Sequence, residues 1–304
     1  MSERSLYLNG KLVPYSEATI HVHSNAVKYG TSVFEGLRAY WNEKQQELYV
    51  FRLEEHISRL LDSLKLMRME HSLTRDELRH SVLDTLRKNE FREDVHIRQT
   101  AYVMADDNVE ARGPVGLAVD GRSRRMAAKR ALDICVSSWM RIPDGAMPPR
   151  IKCSANYQNG RLAQLEALAN GYDYVVLPNS RGKIAEAPGA CFFLVRGGAP
   201  MTPPVTADVL ESITRATVIQ LLRERHRLAP IEREIDRTEL YVGDEAFLCG
   251  TAWEVTAIAS VDRLPLAVPA PGPLTQAVAD TYQRAVRGEL TEYRAWLTPV
   301  YGTR

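Results

Sequence analysis

The chain has 304 residues, 45% apolar and 25% charged, globular values that argue against a disordered, collagen-like or disulfide-scaffold protein. Its 39 basic and 38 acidic side chains leave a formal charge of +1, so no global field recruits nucleic acid or an anionic membrane. No stretch approaches the roughly 18–20 uncharged apolar residues of a membrane span, and the first ten residues lack the apolar run of a signal peptide.

Residues 5–8 and 11–13 flank Asn9-Gly10, a hairpin signal that starts the chain in a sheet. Leu53, Ile57, Leu60, Leu61, Leu64 and Met67 fall on one helical stripe, and a second helix over 74–89 is opened by Thr74 with Glu77 as its capping-box partner. Strands follow at 95–104 and 115–120. The polar, basic run 122–131 reads as the link between an N-terminal domain, 1–121, and a larger C-terminal one, 132–304. Beyond it the pattern predicts strands at 132–139, 172–178, 191–196, 230–235, 245–250 and 255–261, with helices at 156–170, 211–226 and 273–288. Strands outnumber helices without βαβ regularity, which points to an α+β fold with two β-rich domains. Neither a Gly-x-Gly-x-x-Gly turn nor a Walker loop is present, so nucleotide enzymes of those kinds are poor candidates.

Cys135, Cys153, Cys191 and Cys249 are widely separated with no clustered histidine, which argues against zinc and against a disulfide framework and makes a reducing cytoplasm the expected home. His21-x-His23 has no third metal ligand near it, so no metal is expected. Only eight of the basic residues are lysines, so a lysine doing chemistry comes from a short list. Lys152 sits among small and apolar residues, where an amine is a better nucleophile towards carbonyls than one on a charged helix face. Glu186 precedes a Pro-Gly turn and an apolar strand, a place from which a carboxylate can enter a cleft and keep a pyridine nitrogen protonated. Ile213-Thr214 at a helix start and Thr251-Ala252 after a strand offer backbone N–H groups to an anion without any Walker motif. By wheel arithmetic Arg59 stands off its helix's apolar stripe, facing either water or an anion across a cleft.

These blocks occur together with Tyr29-Gly30-Thr31-Ser32-Val33-Phe34-Glu35-Gly36-Leu37-Arg38, Ile97-Arg98, Ser137-Ser138-Trp139, Asn156-Tyr157 and Ile213-Thr214-Arg215. In that order, and over nearly the whole length, the chain resembles the class IV (fold type IV) pyridoxal-phosphate aminotransferases, most of all the branched-chain amino acid aminotransferases. The resemblance implies two domains with the active site between them, pyridoxal 5'-phosphate as cofactor and a homodimer. It implies that Lys152 binds the cofactor and shuttles the proton, that Glu186 pairs with the pyridine nitrogen and Tyr157 with the ring hydroxyl, and that Arg59, Ile213, Thr214 and Thr251 hold the phosphate. Tyr29, Phe34 and Gly36 would line the substrate pocket, Tyr29 serving the neighbouring subunit. Thr251 and Ala252 would meet the substrate carboxylate, and Arg98 the distal carboxylate of 2-oxoglutarate, with His96 beside it.

The sequence departs from the family pattern in several places. Ala187 and Cys191 stand where a Gly and an Asn are usual, Ser212 replaces a Gly, His96 replaces a Tyr, and the interdomain loop carries Arg122, Arg124 and Arg125. Either these arginines are solvated linker residues of an Arg-rich chain, or they make the loop cationic and favour a polar or acidic amino acid over leucine. A lyase, a D-amino acid aminotransferase and a non-catalytic cofactor-binding homologue of the same fold are the alternatives.

Overall fold

A computed structural model describes residues 3–124 and 131–302. The chain divides into two compact units, one of Met1–Met126, Ile151–Ala155 and Ala285–Arg304 and the other of Ala127–Arg150 and Asn156–Arg284.

In the first unit, strands β1 (Ser5–Leu8) and β2 (Lys11–Pro14) form the hairpin expected around Asn9-Gly10. Both turn residues take positive φ, 48° and 90°, as the tight mirror-image turns of right-twisted hairpins require. A short helix α1 (Asn25–Lys28) leads to β3 (Ser32–Asn42), the long strand holding the Ser-Val-Phe-Glu-Gly-Leu-Arg run, and β4 (Glu47–Phe51). Helices α2 (Leu53–Leu66) and α3 (Arg75–Lys88) precede β5 (Val95–Val103) and β6 (Val115–Ser123). The Thr74 side chain accepts the Glu77 N–H, as the cap signal predicts. On β3, Val33, Glu35, Leu37 and Ala39 share one face, buried with Ile57, Leu60 and Leu64 of α2, while Phe34, Gly36 and Arg38 share the other.

The second unit opens with β7 (Leu132–Val136) and α4 (Tyr157–Ala169). Next come β8 (Tyr174–Val176), β9 (Glu186–Ala187), β10 (Ala190–Arg196), β11 (Ala199–Thr202) and α5 (Ile213–Arg225). Strands β12 (Ile231–Glu232), β13 (Glu245–Gly250), β14 (Glu254–Val261) and β15 (Leu264–Pro265) lead into α6 (Pro273–Val286). Its sheet runs β12-β11-β10-β13-β14-β7-β8, with β15 on β14 and β9 on β10. Phe192, Leu194, Leu248 and Ile258 build the core on one side of it. Phe193, Phe247 and Val218 pack on the other, with Cys191 and Cys249 facing each other across β10 and β13. All four cysteines are buried, and none is in a disulfide. The last strand, β16 (Leu297–Pro299), belongs to the first unit and pairs with β4, giving the order β16-β4-β3-β5-β6-β1-β2.

The α+β reading holds, with two sheets and six α-helices among the described residues. The domain boundaries differ from those expected. Strand β6 continues through Ser123, so Arg122 is a strand residue whose Nε donates to Asp120 at 2.7 Å, and residues 125–130 of the expected link lie outside those described. The segment 132–304 is not one unit either. Residues 151–155, Lys152 among them, group with the first unit because they are bonded to β3, and 285–304 return there to close the β4 edge. The strand expected at 230–235 shrinks to two residues next to Pro230, which has no N–H to give a ladder.

Candidate active site

In the first unit the segment Ile151–Ala155 lies along the start of β3. Phe34 N–H donates to the Lys152 carbonyl at 2.9 Å, Lys152 N–H donates to Ser63 Oγ at 3.2 Å, and Ser154 N–H donates to the Ser32 carbonyl at 3.1 Å. The Lys152 backbone is thereby fixed on both sides, and its Nζ lies 5.0 Å from the centre of the Phe34 ring. The Arg98 guanidinium covers the same ring at 3.7 Å. Antiparallel register sets Gly36 opposite Arg98 and Arg38 opposite His96, so the four share a face with Phe34. The His96 ring reaches over Gly36, its Cε1 only 3.6 Å from where a Cβ would stand. Burial, then the cations Arg38, Arg124, Arg98 and Lys152, push the His96 pKa down to about 4, so the ring is neutral at pH 7.

Beneath that face, α2 presents His56, Arg59 and Ser63, spaced i, i+3, i+7 along one side of the helix. Arg59 grips Glu35 with two bonds, Nε to Oε1 and Nη2 to Oε2, both 2.7 Å, and His56 Nδ1 lies 2.6 Å from the same Oε2. Glu35 has no exposed surface. Burial alone would raise its pKa, but Arg59 and His56 together hold it at about 2. Burial lowers the pKa of His56, outweighing Glu35. Arg59 therefore neither faces water nor reaches out alone; it is clamped by a buried carboxylate. Tyr29 is 47% exposed at the end of α1 with Lys28 against its ring, away from this cluster's bonds.

In the second unit Glu186 is 5% exposed. Arg141 Nε donates to its Oε1 at 2.8 Å and Leu210 N–H to its Oε2 at 3.1 Å. The first turn of α4, which begins at Tyr157, packs through Gly160 onto Pro188, two residues past Glu186. Tyr174 Oη, close to Gly189, has its pKa raised by burial, against the Trp253 indole that hydrogen-bonds it. At the start of α5 the Ser212 side chain accepts the Arg215 N–H at 3.2 Å, leaving the N–H groups of Ile213 and Thr214 outside the helix's own ladder. Thr251 and Ala252 are half-buried in the turn after β13, which the Trp253 N–H to Gly250 carbonyl bond closes at 3.0 Å.

The expected residues thus fall into two sets, Arg59, Lys152, Phe34, Gly36, His96 and Arg98 in the first unit and Tyr157, Glu186, Ile213, Thr214, Thr251 and Ala252 in the second. Sequence reasoning missed Glu35, His56, Ser63 and Arg141. Glu35 was in plain view inside the motif block, the i, i+3, i+7 spacing with Arg59 places His56 and Ser63 on one face of α2, and Arg141 carried no local signal. His21 Nδ1 accepts the His23 N–H at 3.1 Å, and no group of three metal-ligating side chains occurs among the described residues. Nor is any described helix long and apolar enough to cross a membrane.

The family model for amino-transferase class IV matches residues 32–261. The chain belongs to this family. Class IV aminotransferases work with pyridoxal phosphate, and a solved structure similar to this chain is in its PLP form. A probable branched-chain-amino-acid aminotransferase of Aquifex aeolicus is 39% identical over 299 residues, 97% of this chain and 96% of that protein. The branched-chain amino acid aminotransferase of Thermobaculum terrenum, solved in its PLP form, superposes with a TM-score of 0.94 at 43% identity, covering 99% of each chain. The branched-chain aminotransferase of Thermoproteus uzoniensis, solved with norvaline, also has a TM-score of 0.94, at 40% identity, covering 99% of this chain and 100% of that one. The fold is that of the fold type IV aminotransferases. The residues present fit the cofactor: Glu186 is a buried carboxylate fixed at both oxygens yet with lone pairs to spare, and α5 begins with two N–H groups outside its ladder.

Proposed function

We propose that this aminotransferase exchanges the amino group of an L-amino acid, of the branched-chain class or a more polar one, with 2-oxoglutarate, acting as a cytoplasmic homodimer. The observation that carries the reading is the setting of Lys152, whose backbone is bonded at both N–H and carbonyl while its amine stands over the Phe34 ring.

When bound, pyridoxal phosphate supplies a carbonyl carbon to take the amino group and a ring that withdraws electrons from the substrate α-carbon. The chain's own residues do the rest. Lys152 Nζ would take the proton from the substrate α-carbon and hold it for return, on a residue whose backbone is fixed at both N–H and carbonyl. Glu186 receives the pyridine N–H on a carboxylate that Arg141 and Leu210 already orient, and Tyr157 pairs with the ring hydroxyl. Arg59, the Ile213 and Thr214 N–H groups and Thr251 hold the phosphate. Phe34 and Gly36 line the side-chain pocket with His96, Arg98 takes a distal carboxylate, and Thr251 and Ala252 meet the α-carboxylate. Tyr29, 47% exposed in its own chain, is assigned to the neighbouring subunit's pocket.

The test is the visible spectrum of the protein reconstituted with pyridoxal phosphate. A cofactor band absent in Lys152→Ala, bleached by leucine or glutamate and restored by 2-oxoglutarate, is the expected result. A band that no amino acid changes would point to the lyase or the non-catalytic homologue.

A further inference from the structure

We infer that Glu35, backed by His56, is a positioning residue that sets the plane of the Arg59 guanidinium for the cofactor's phosphate; the inference rests on the proposed role of Arg59. A carboxylate with no exposed surface, on the core face of β3 among Val33, Leu37 and the leucines of α2, is an expensive residue to keep in a strand. Replacing a buried ion pair with apolar side chains of similar volume is often neutral or stabilising, so stability alone does not account for Glu35. Geometry does. Two parallel 2.7 Å bonds from Nε and Nη2 fix a guanidinium in both position and plane, which a single contact or a lysine cannot do.

His56 completes the clamp from the next turn of α2. Its Nδ1 holds Glu35 Oε2 at 2.6 Å, so the carboxylate cannot rotate out of the plane it shares with Arg59. The same face of α2 supplies Ser63, whose Oγ takes the Lys152 N–H. One helix face therefore fixes both the arginine assigned to the phosphate and the backbone of the lysine. Groups that stand behind a ligand-binding residue in this way change affinity without touching the ligand.

The test is an equilibrium titration of the apoprotein with pyridoxal 5'-phosphate and, separately, with pyridoxal, which lacks the phosphate. The ratio of the two dissociation constants reads the phosphate site alone, and damage to the fold would weaken both ligands together. Glu35→Gln is expected to shrink the ratio by about tenfold, the lower end of what loss of a backing residue does. His56→Gln, which leaves the carboxylate in place, should shrink it less, and Arg59→Ala should abolish most of it. If Glu35→Gln does not fold, the His56→Gln ratio decides. An unchanged ratio in the foldable clamp variant, with the ratio lost in Arg59→Ala, overturns the inference; an unchanged ratio in Arg59→Ala overturns instead the phosphate role of Arg59.

Discussion

An imidazole at position 96 stands where its neighbours forbid it a charge. Arg38 lies across the ladder on β3, Arg122 across it on β6, Arg98 two residues along, and Arg124 and Lys152 within electrostatic reach. Asp120, the nearby acid, is engaged by Arg122 at 2.7 Å and Arg4 at 3.1 Å. The folded protein thus keeps His96 neutral down to about pH 4, whereas the unfolded chain protonates it near pH 6.5. Because the unfolded state binds more protons in that window, stability falls as pH drops from about 6.5 towards 4. His56, whose pKa is also lowered, adds to the same slope, whereas Glu35 loses its contribution only as pH falls from the ordinary carboxylate range towards about 2. Urea unfolding between pH 7 and 4.5 should show His96→Asn with a slope shallower by up to about 1 kcal/mol per pH unit. An identical slope would mean that His96 already has a counter-charge in the native state.

Among the elements, the first turn of α4 and the turn after β9 are joined by a contact only glycine allows. A Cβ at Gly160 would stand 2.8 Å from Pro188 Cβ and 3.0 Å from its Cα, and a backbone atom cannot swing aside as a flexible side chain can. Gly160→Ala should therefore cost about 1–3 kcal/mol and weaken cofactor binding by moving the chain that carries Glu186. Gly145→Ala, where nothing lies within 4 Å, is the control expected to stay within about 0.5 kcal/mol. Equal melting temperatures for the two variants would mean that α4 re-seats on Pro188 freely. The same distinction between local and distant partners explains what the sequence revealed. The Asn9-Gly10 turn and the Thr74 cap were legible because each is decided within four residues. Strand β3 was missed because Glu35 and Arg38 are buried along with Leu37 and Tyr40, so no alternation of apolar and polar residues marks it. Of the candidate site, Lys152 and Glu186 stood out by their apolar surroundings and the family motifs. Ser63 and Arg141 become meaningful only against partners 89 and 45 residues away.

On the scale of the whole molecule, the chain's end is a structural part of its beginning. Leu297 pairs with Phe51, the Trp296 carbonyl accepts the Arg52 N–H at 2.6 Å, and the Arg52 guanidinium lies 4.1 Å over the Trp296 ring. Glu47, 2% exposed, accepts the N–H groups of Val300 and Tyr301 at 3.1 and 2.9 Å as well as that of Leu48. Arg87 Nε in turn holds the Val300 carbonyl at 2.6 Å. Removing the residues after Trp296 strips a buried carboxylate of two of its three donors, a penalty of about 1–3 kcal/mol or more, and bares the β4 edge. A chain stopped at Trp296 should therefore melt lower, and its amide exchange should speed up first in β4 and the neighbouring part of β3. Protection in β10 and β13, at the core of the other sheet, serves as the internal reference. Uniform loss across both sheets would mean that the tail supports more than the edge it covers, whereas no loss in β4 would mean that the β16 pairing contributes nothing to the first unit.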